Sequence, residues 1–133
     1  MAMDLNNYFA LRLQSLDVAE QRMKVLATNV ANADTPGFKA RDIDFVAAMR
    51  AAGEGDIRMS TTQPGHIALP GSNSVAGKVQ YRVPAQPSLD GNTVDAQKES
   101  AAVAETAVRY QATLTFLNQR IQGLMTAITG GRG

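Results

Sequence analysis

The chain has 133 residues, of which 44% are hydrophobic and 5% aromatic, with 13 basic and 12 acidic side chains for a formal net charge of +1. That length suits one ordinary domain, and that balance excludes global disorder and the basic footprint of a nucleic-acid binder. Cys is absent, which removes disulfides, thiol nucleophiles and Cys-ligated zinc together.

The start, Met1-Ala2-Met3-Asp4, offers neither a basic region nor an apolar run, so no cleaved secretory signal is expected. From Leu5 to Ala33 the apolar residues are Leu5, Phe9, Leu13, Leu16, Ala19, Met23, Leu26, Val30 and Ala33, spaced by three or four. That spacing keeps them on one face of a helix. Glu20 and Lys24 stand one turn apart in the favourable order. The first zone, residues 1–34, is therefore read as an N-terminal helix. Asn29 and Asn32 near its end suit either C-terminal capping or the packing of helices in an assembly.

Residues 35–94 change character. Thr35-Pro36-Gly37-Phe38 carries the residue preferences of a type II turn, and Pro36 cannot continue the helix. Turn signals then crowd in at Pro64-Gly65, Pro70-Gly71 and Asp90-Gly91. The alternating run Lys78-Val79-Gln80-Tyr81-Arg82-Val83 reads as a strand, ended by Pro84 and so expected at an edge. This zone is expected to be a small irregular or β middle without a core of its own.

The third zone, residues 95–133, is read as a C-terminal helix. Asp95 is the expected N-cap, and Glu99 in the first turn complements the helix dipole. Val103, Ala107, Tyr110, Leu114, Leu117, Ile121, Leu124 and Ile128 alternate steps of four and three, the a/d rhythm of a coiled coil. Glu105 and Arg109 form a second pair one turn apart. Gly130, Gly131 and Gly133 end the helix. The fold class is thus mainly α: long terminal amphipathic helices packing as one coiled-coil domain around a small middle segment.

Helices of about 30 residues are about 45 Å long, against a radius of gyration of about 14 Å for a globule of this size. Stripes that long are expected to meet neighbouring chains as well as each other. The expected assembly surface comprises Leu13, Leu16, Met23, Leu26 and Val30 from the first helix. From the last it takes Val103, Tyr110, Leu114, Leu117, Ile121, Leu124 and Ile128.

Chemistry is poorly provided for. His66 is the one histidine, beside Pro64-Gly65, with no nucleophile-elbow pattern. Asp34, Asp42 and Asp44 cluster without EF-hand spacing and are read as solvated or capping residues. No phosphate-cradling glycine motif is present. Neither a catalytic residue, a metal nor a cofactor is expected.

The run Leu26 to Lys39 resembles the N-terminal signature of flagellar axial proteins, with Asn29, Ala31, Asn32, Thr35, Gly37, Phe38 and Lys39 at its fixed positions. Within that family, Arg41-Asp42-Ile43-Asp44-Phe45 and the stretch from Gln86 to Asp95 are similar to the proximal-rod type more than to the sister rod protein FlgC. The resemblance implies a structural subunit of the basal-body rod that self-assembles through its terminal helices in the periplasm. It also implies export through the flagellar type III apparatus and contacts with rod proteins of the FlgC, FlgF and FlgG type, the FliE adaptor and the MS ring. It implies no nucleic acid and no membrane insertion. A stand-alone helical-hairpin adapter is the alternative that the stripes alone leave open.

Overall fold

The computed structural model describes residues 5–53 and 78–130. Helix α1 spans Leu5–Ala31, a run with neither Gly nor Pro. It ends where the Asn32 N–H is shared between the Thr28 and Asn29 carbonyls at 3.2 and 3.1 Å. In the turn that follows, Phe38 N–H reaches Thr35 O at 3.2 Å and Gly37 sits at φ 73°. This is the type II geometry that Pro36-Gly37 specifies.

Strand β1, Arg41–Ile43, pairs antiparallel with β2, Val79–Tyr81, in the register Arg41 to Tyr81, Asp42 to Gln80 and Ile43 to Val79. Among the described residues these two strands form the whole sheet, so the expected edge strand is present. Between them lies helix α2, Phe45–Gly53, which the reading of the middle segment as irregular or β did not separate. Its start is chemically defined. Asp44 Oδ1 accepts the Ala47 N–H at 3.0 Å, and Asp44 O accepts that of Ala48 at 3.0 Å. The helix is too short for hydrophobic periodicity to declare itself.

Helix α3 spans Ala96–Thr129 and has the expected caps. Asp95 Oδ1 accepts N–H groups of Gln97 and Lys98 at 3.1 and 3.3 Å. Gly130 closes the other end at φ 66°, donating to Thr126 O. At 34 residues, α3 is about 51 Å long against about 40 Å for α1.

Helix α1 is the hub, in contact with α3, α2 and β1. Asn29 of α1 bonds Glu99 of α3, while Arg22, earlier in α1, feels the charge of Glu105, later in α3; the two helices therefore run antiparallel. The apolar core lies where α1, β1 and α2 meet. Val18, Ile43 and Ala48 are buried there, with Val25 and Phe45 packed against them. The Arg109 guanidinium lies 5.7 Å from the centroid of the Phe45 ring, which ties α3 to α2.

The seam on α3 is displaced from the expected one near its start. Glu99 and Thr106 are buried, while Ala107 is exposed. Val103, Tyr110, Leu114 and Leu117 remain half-buried as expected. Apolar periodicity is blind to a buried face that carries a carboxylate and a hydroxyl.

A Cβ at Gly37 would meet nothing within 4 Å, so only its left-handed backbone restricts the position. Gly37→Val should lower stability by about 1–2 kcal/mol, and Gly37→Asn should recover much of that loss. Urea unfolding of the three proteins checks it.

Candidate assembly interface and the polar joint beneath it

The signature residues are brought together at the end of α1, and most of them bond within the subunit. Asn29, wholly buried, bridges three elements. Its Nδ2 donates to Arg41 O at 2.6 Å and to Glu99 Oε2 at 3.0 Å, and its Oδ1 accepts from Arg41 N at 3.1 Å. A primary amide has one acceptor and two donors. Here all three are used, to fasten β1 and α3 to α1. Asn29 thus does more than cap α1: its bonds join helices within the subunit.

Glu99 is fully buried and also accepts an ion-pair hydrogen bond from Arg82. It lies in the first turn of α3, as expected of a partner for the helix dipole, and is at the same time part of a buried joint. Arg82 reaches onward to Asp42 Oδ2 at 2.8 Å, and Asp42 is held from the other side by Arg22 through bonds of 2.9 and 3.2 Å. Two guanidinium groups thus alternate with two carboxylates. Asp42 is neither solvated nor a cap, contrary to expectation. Asp34 is exposed and Asp44 caps α2. Desolvation on its own would raise the Asp42 pKa. The bonds from Arg22, Arg82 and the Ile43 N–H outweigh it and hold the carboxyl below its ordinary range. The Arg22 pKa is raised, chiefly by its hydrogen bond to Asp42, against the opposing effect of burial.

A second lock lies beside the first. Asn92, buried, shares its two amide hydrogens among the carbonyls of Asn32, Ala33 and Thr35 at 3.0, 2.8 and 2.9 Å. It caps the end of α1 from 57–60 positions along the chain. Asn32 adds a local cap, donating to Thr28 O at 2.8 Å and accepting from the Thr35 hydroxyl at 3.1 Å. Gly37 N–H donates to Asp90 O at 2.8 Å, Thr93 N–H to Phe38 O at 3.0 Å, and Lys39 Nζ to Gly91 O at 2.7 Å. Ala31, the last residue of α1, is exposed. The turn after α1 and the loop before α3 are therefore one hydrogen-bonded unit. Sequence reasoning missed Arg22, Arg82, Asn92 and Thr93. A signal for Arg22 did exist: it sits one turn from both Val18 and Leu26, on the buried face.

The expected assembly residues divide by exposure. Leu26 is wholly buried within its own subunit and has no surface left for a neighbour. Leu16, Met23, Val103, Tyr110, Leu114 and Leu117 are half-buried. Leu13, Val30, Ile121, Leu124 and Ile128 are exposed, Leu13 at 54% and Ile128 at 85%. The part of α3 beyond Leu117 is exposed throughout. His66 and the turn signals at Pro64-Gly65 and Pro70-Gly71 lie outside the described residues, as do Gly131 and Gly133. Among the described residues, no group of three or more His, Cys, Asp and Glu side chains is placed to hold a metal ion, and no helix is long and apolar enough to cross a membrane.

Two long helices, locked together at one end by a polar joint and leaving apolar side chains open along their length, define an elongated helix-pair subunit. Residues 16–39, which include most of the joint's α1 side, match the family model of the flagella basal body rod proteins. The chain is 50% identical over 118 residues to the flagellar basal body rod protein FlgB of Cereibacter sphaeroides, covering 88% of this chain and 90% of that protein. Identity to FlgB of Salmonella typhimurium is 42% over 130 residues, 92% of this chain and 94% of the other. Identity to FlgB of Aeromonas hydrophila is 42% over 132 residues, 98% of each. The chain belongs to the flagellar basal body rod proteins.

Two outcomes test the joint. Asn92→Ala leaves carbonyls at the end of α1 without their donor and should cost about 1–3 kcal/mol in denaturant unfolding. Because the folded Asp42 pKa lies below its unfolded value, its contribution to stability is complete above about pH 4 and is lost as the pH falls through the folded pKa. The stability gap between the native chain and Asp42→Asn should therefore be widest at neutral pH and shrink on acidification. A gap independent of pH would mean that the Asp42 charge contributes nothing.

Proposed function

We propose that this chain is a structural subunit of the proximal rod of the flagellar basal body, joined to its neighbours through the apolar residues that its own helix pair leaves open. One observation carries the reading: two long antiparallel helices whose stripes are only partly used inside the subunit. Leu13, Val30, Ile121, Leu124 and Ile128 continue the same stripes and stand in solvent. Exposed apolar rows of this kind are characteristic of surfaces made to be covered.

The subunit's role is to carry load, and it catalyses nothing. The relatives named above are rod proteins called FlgB, which favours this type over the sister protein FlgC. The neighbours that fit this position are further copies, rod proteins of the FlgC, FlgF and FlgG type, the FliE adaptor and the MS ring. The chain reaches the periplasm through the flagellar type III apparatus. A stand-alone adapter accounts less well for helices that reach full length with half their apolar stripe uncovered.

Ile121→Asp and Ile128→Asp separate assembly from folding. Both residues are exposed in the free subunit, so each change should alter its stability by less than about 0.5 kcal/mol. Each should nevertheless abolish incorporation into basal bodies and motility, because a charge sealed without a partner in an apolar seam costs several kcal/mol. Swarming assays and purified basal bodies from complemented strains give the answer. Motile strains carrying either change would remove these residues from the interface.

A further inference from the structure

The subunit carries an uncharged apolar surface at each end. At the joint end it is the loop from Val83 to Leu89, in which every residue is exposed, Val83 at 87% and Leu89 at 112%. The loop contains Pro84, Ala85 and Pro87 and no charged residue. It is nevertheless held in shape. Arg82, before it, is bonded to Asp42 at 2.8 Å and to Glu99. After it, Gly91 N–H donates to Ser88 O at 3.3 Å, the Ser88 hydroxyl to Asn92 O, and Gly37 N–H to Asp90 O at 2.8 Å. The two prolines restrict what lies between. A fixed loop that keeps its apolar side chains in water adds nothing to the subunit's own core and is preorganised for burial elsewhere.

At the opposite end is α3 from Ile121 onward. Measured from the Asn29–Glu99 bond, α3 reaches about 9 Å further than the described part of α1. Ile121, Leu124, Met125 and Ile128 are exposed there, Met125 at 60% and Ile128 at 85%. They continue the seam in which Leu114 and Leu117 are half-buried. From Ile121 to Gly130 the chain has no charge. The charge that follows the loop is Asp90, and the one that precedes this helix end is Arg120. They are opposite in sign, and neither has an ion-pair partner among the described residues.

We propose that the Val83–Leu89 loop of one copy seats on the open end of α3 of a second copy, so that copies join end to end. The inference rests on the reading of the chain as a rod subunit, and it names what covers Ile121, Leu124 and Ile128. Two uncharged apolar surfaces meet, bordered by Asp90 on one side and Arg120 on the other. Because the two surfaces differ, the contact is head to tail. Each joined pair keeps a free loop at one end and a free α3 at the other, so the row of copies can grow. Loop on loop, or α3 on α3, would close a pair and stop growth.

The chain lacks Cys, so introduced cysteines report the contact. Leu89→Cys and Met125→Cys both change exposed residues, and equal helix content by circular dichroism shows that the fold is kept. When the two purified chains are mixed and oxidised, the mixed disulfide should form about tenfold faster than either chain's own. Val108→Cys, exposed on α3 outside the contact, should react with Leu89→Cys only at the background rate. Arg120→Glu in the Met125→Cys chain should slow the mixed product. A chain with both cysteines should give a ladder of dimers, trimers and longer products. The proposal is overturned if Leu89→Cys reacts equally with both α3 positions, if no mixed disulfide forms, or if the doubly substituted chain stops at dimers, as an antiparallel side-by-side pair would. In complemented strains, Leu89→Asp should block rod assembly as Ile128→Asp does. Assembly lost with Ile128→Asp but kept with Leu89→Asp overturns this contact and leaves the rod reading standing. Assembly kept with both overturns the two together.

Discussion

The Asn29 amide is the point on which the subunit's architecture turns. Helix α1, strand β1 and helix α3 meet at that corner, and one side chain with its amide nitrogen and oxygen both engaged links all three. Removing the amide would strand the outward groups of Arg41 and deprive the buried Glu99 carboxylate of a donor. A buried polar network of this kind specifies one arrangement sharply, because any slip leaves a group unsatisfied at a cost larger than a typical bond is worth. No buried side-chain nitrogen or oxygen among the described residues lacks a partner, so the network is complete as it stands.

Apolar packing is arranged the other way. Its centre, around Val18, Ile43 and Ala48, fixes the small head to α1, yet the seam between α1 and α3 has half-buried residues along much of its length and open ones toward its far end. The division matches the work proposed for the chain. Hydrogen bonds define the joint of the subunit, and much of the hydrophobic surface is left open. A chain that satisfied its stripes internally would be a more stable monomer and a poorer building block.

Much of this was legible in the residues. Both long helices, the Asp95 and Gly130 caps, the turn at Pro36-Gly37 and the strand at Val79–Tyr81 follow from local rules, and the structure has each of them. What escaped depends on distance along the chain. Arg22 and Asp42 are separated by 20 positions and Asp42 and Arg82 by 40, and nothing local marks them as partners. Helix α2 escaped for a different reason, since nine residues are too few for its periodicity to stand out. The burial of Glu99 and Thr106 escaped because apolar periodicity does not count polar residues. The signature itself was recognised as a pattern of residues; its physical content, a turn welded to a loop by Asn92, Lys39 and Thr93, required the fold.

The placement of the joint has a mechanical meaning. Among the described residues, the hydrogen bond between α1 and α3 side chains sits where α1 ends and α3 begins, while α3 beyond Leu117 is exposed. The helix pair has the geometry of a pair of tongs with its pivot at that joint. A tilt of about 5° at the pivot displaces tips about 40 Å away by about 3.5 Å. In the assembly proposed above, such a tilt would let identical subunits seat themselves against unlike surroundings without disturbing the hinge.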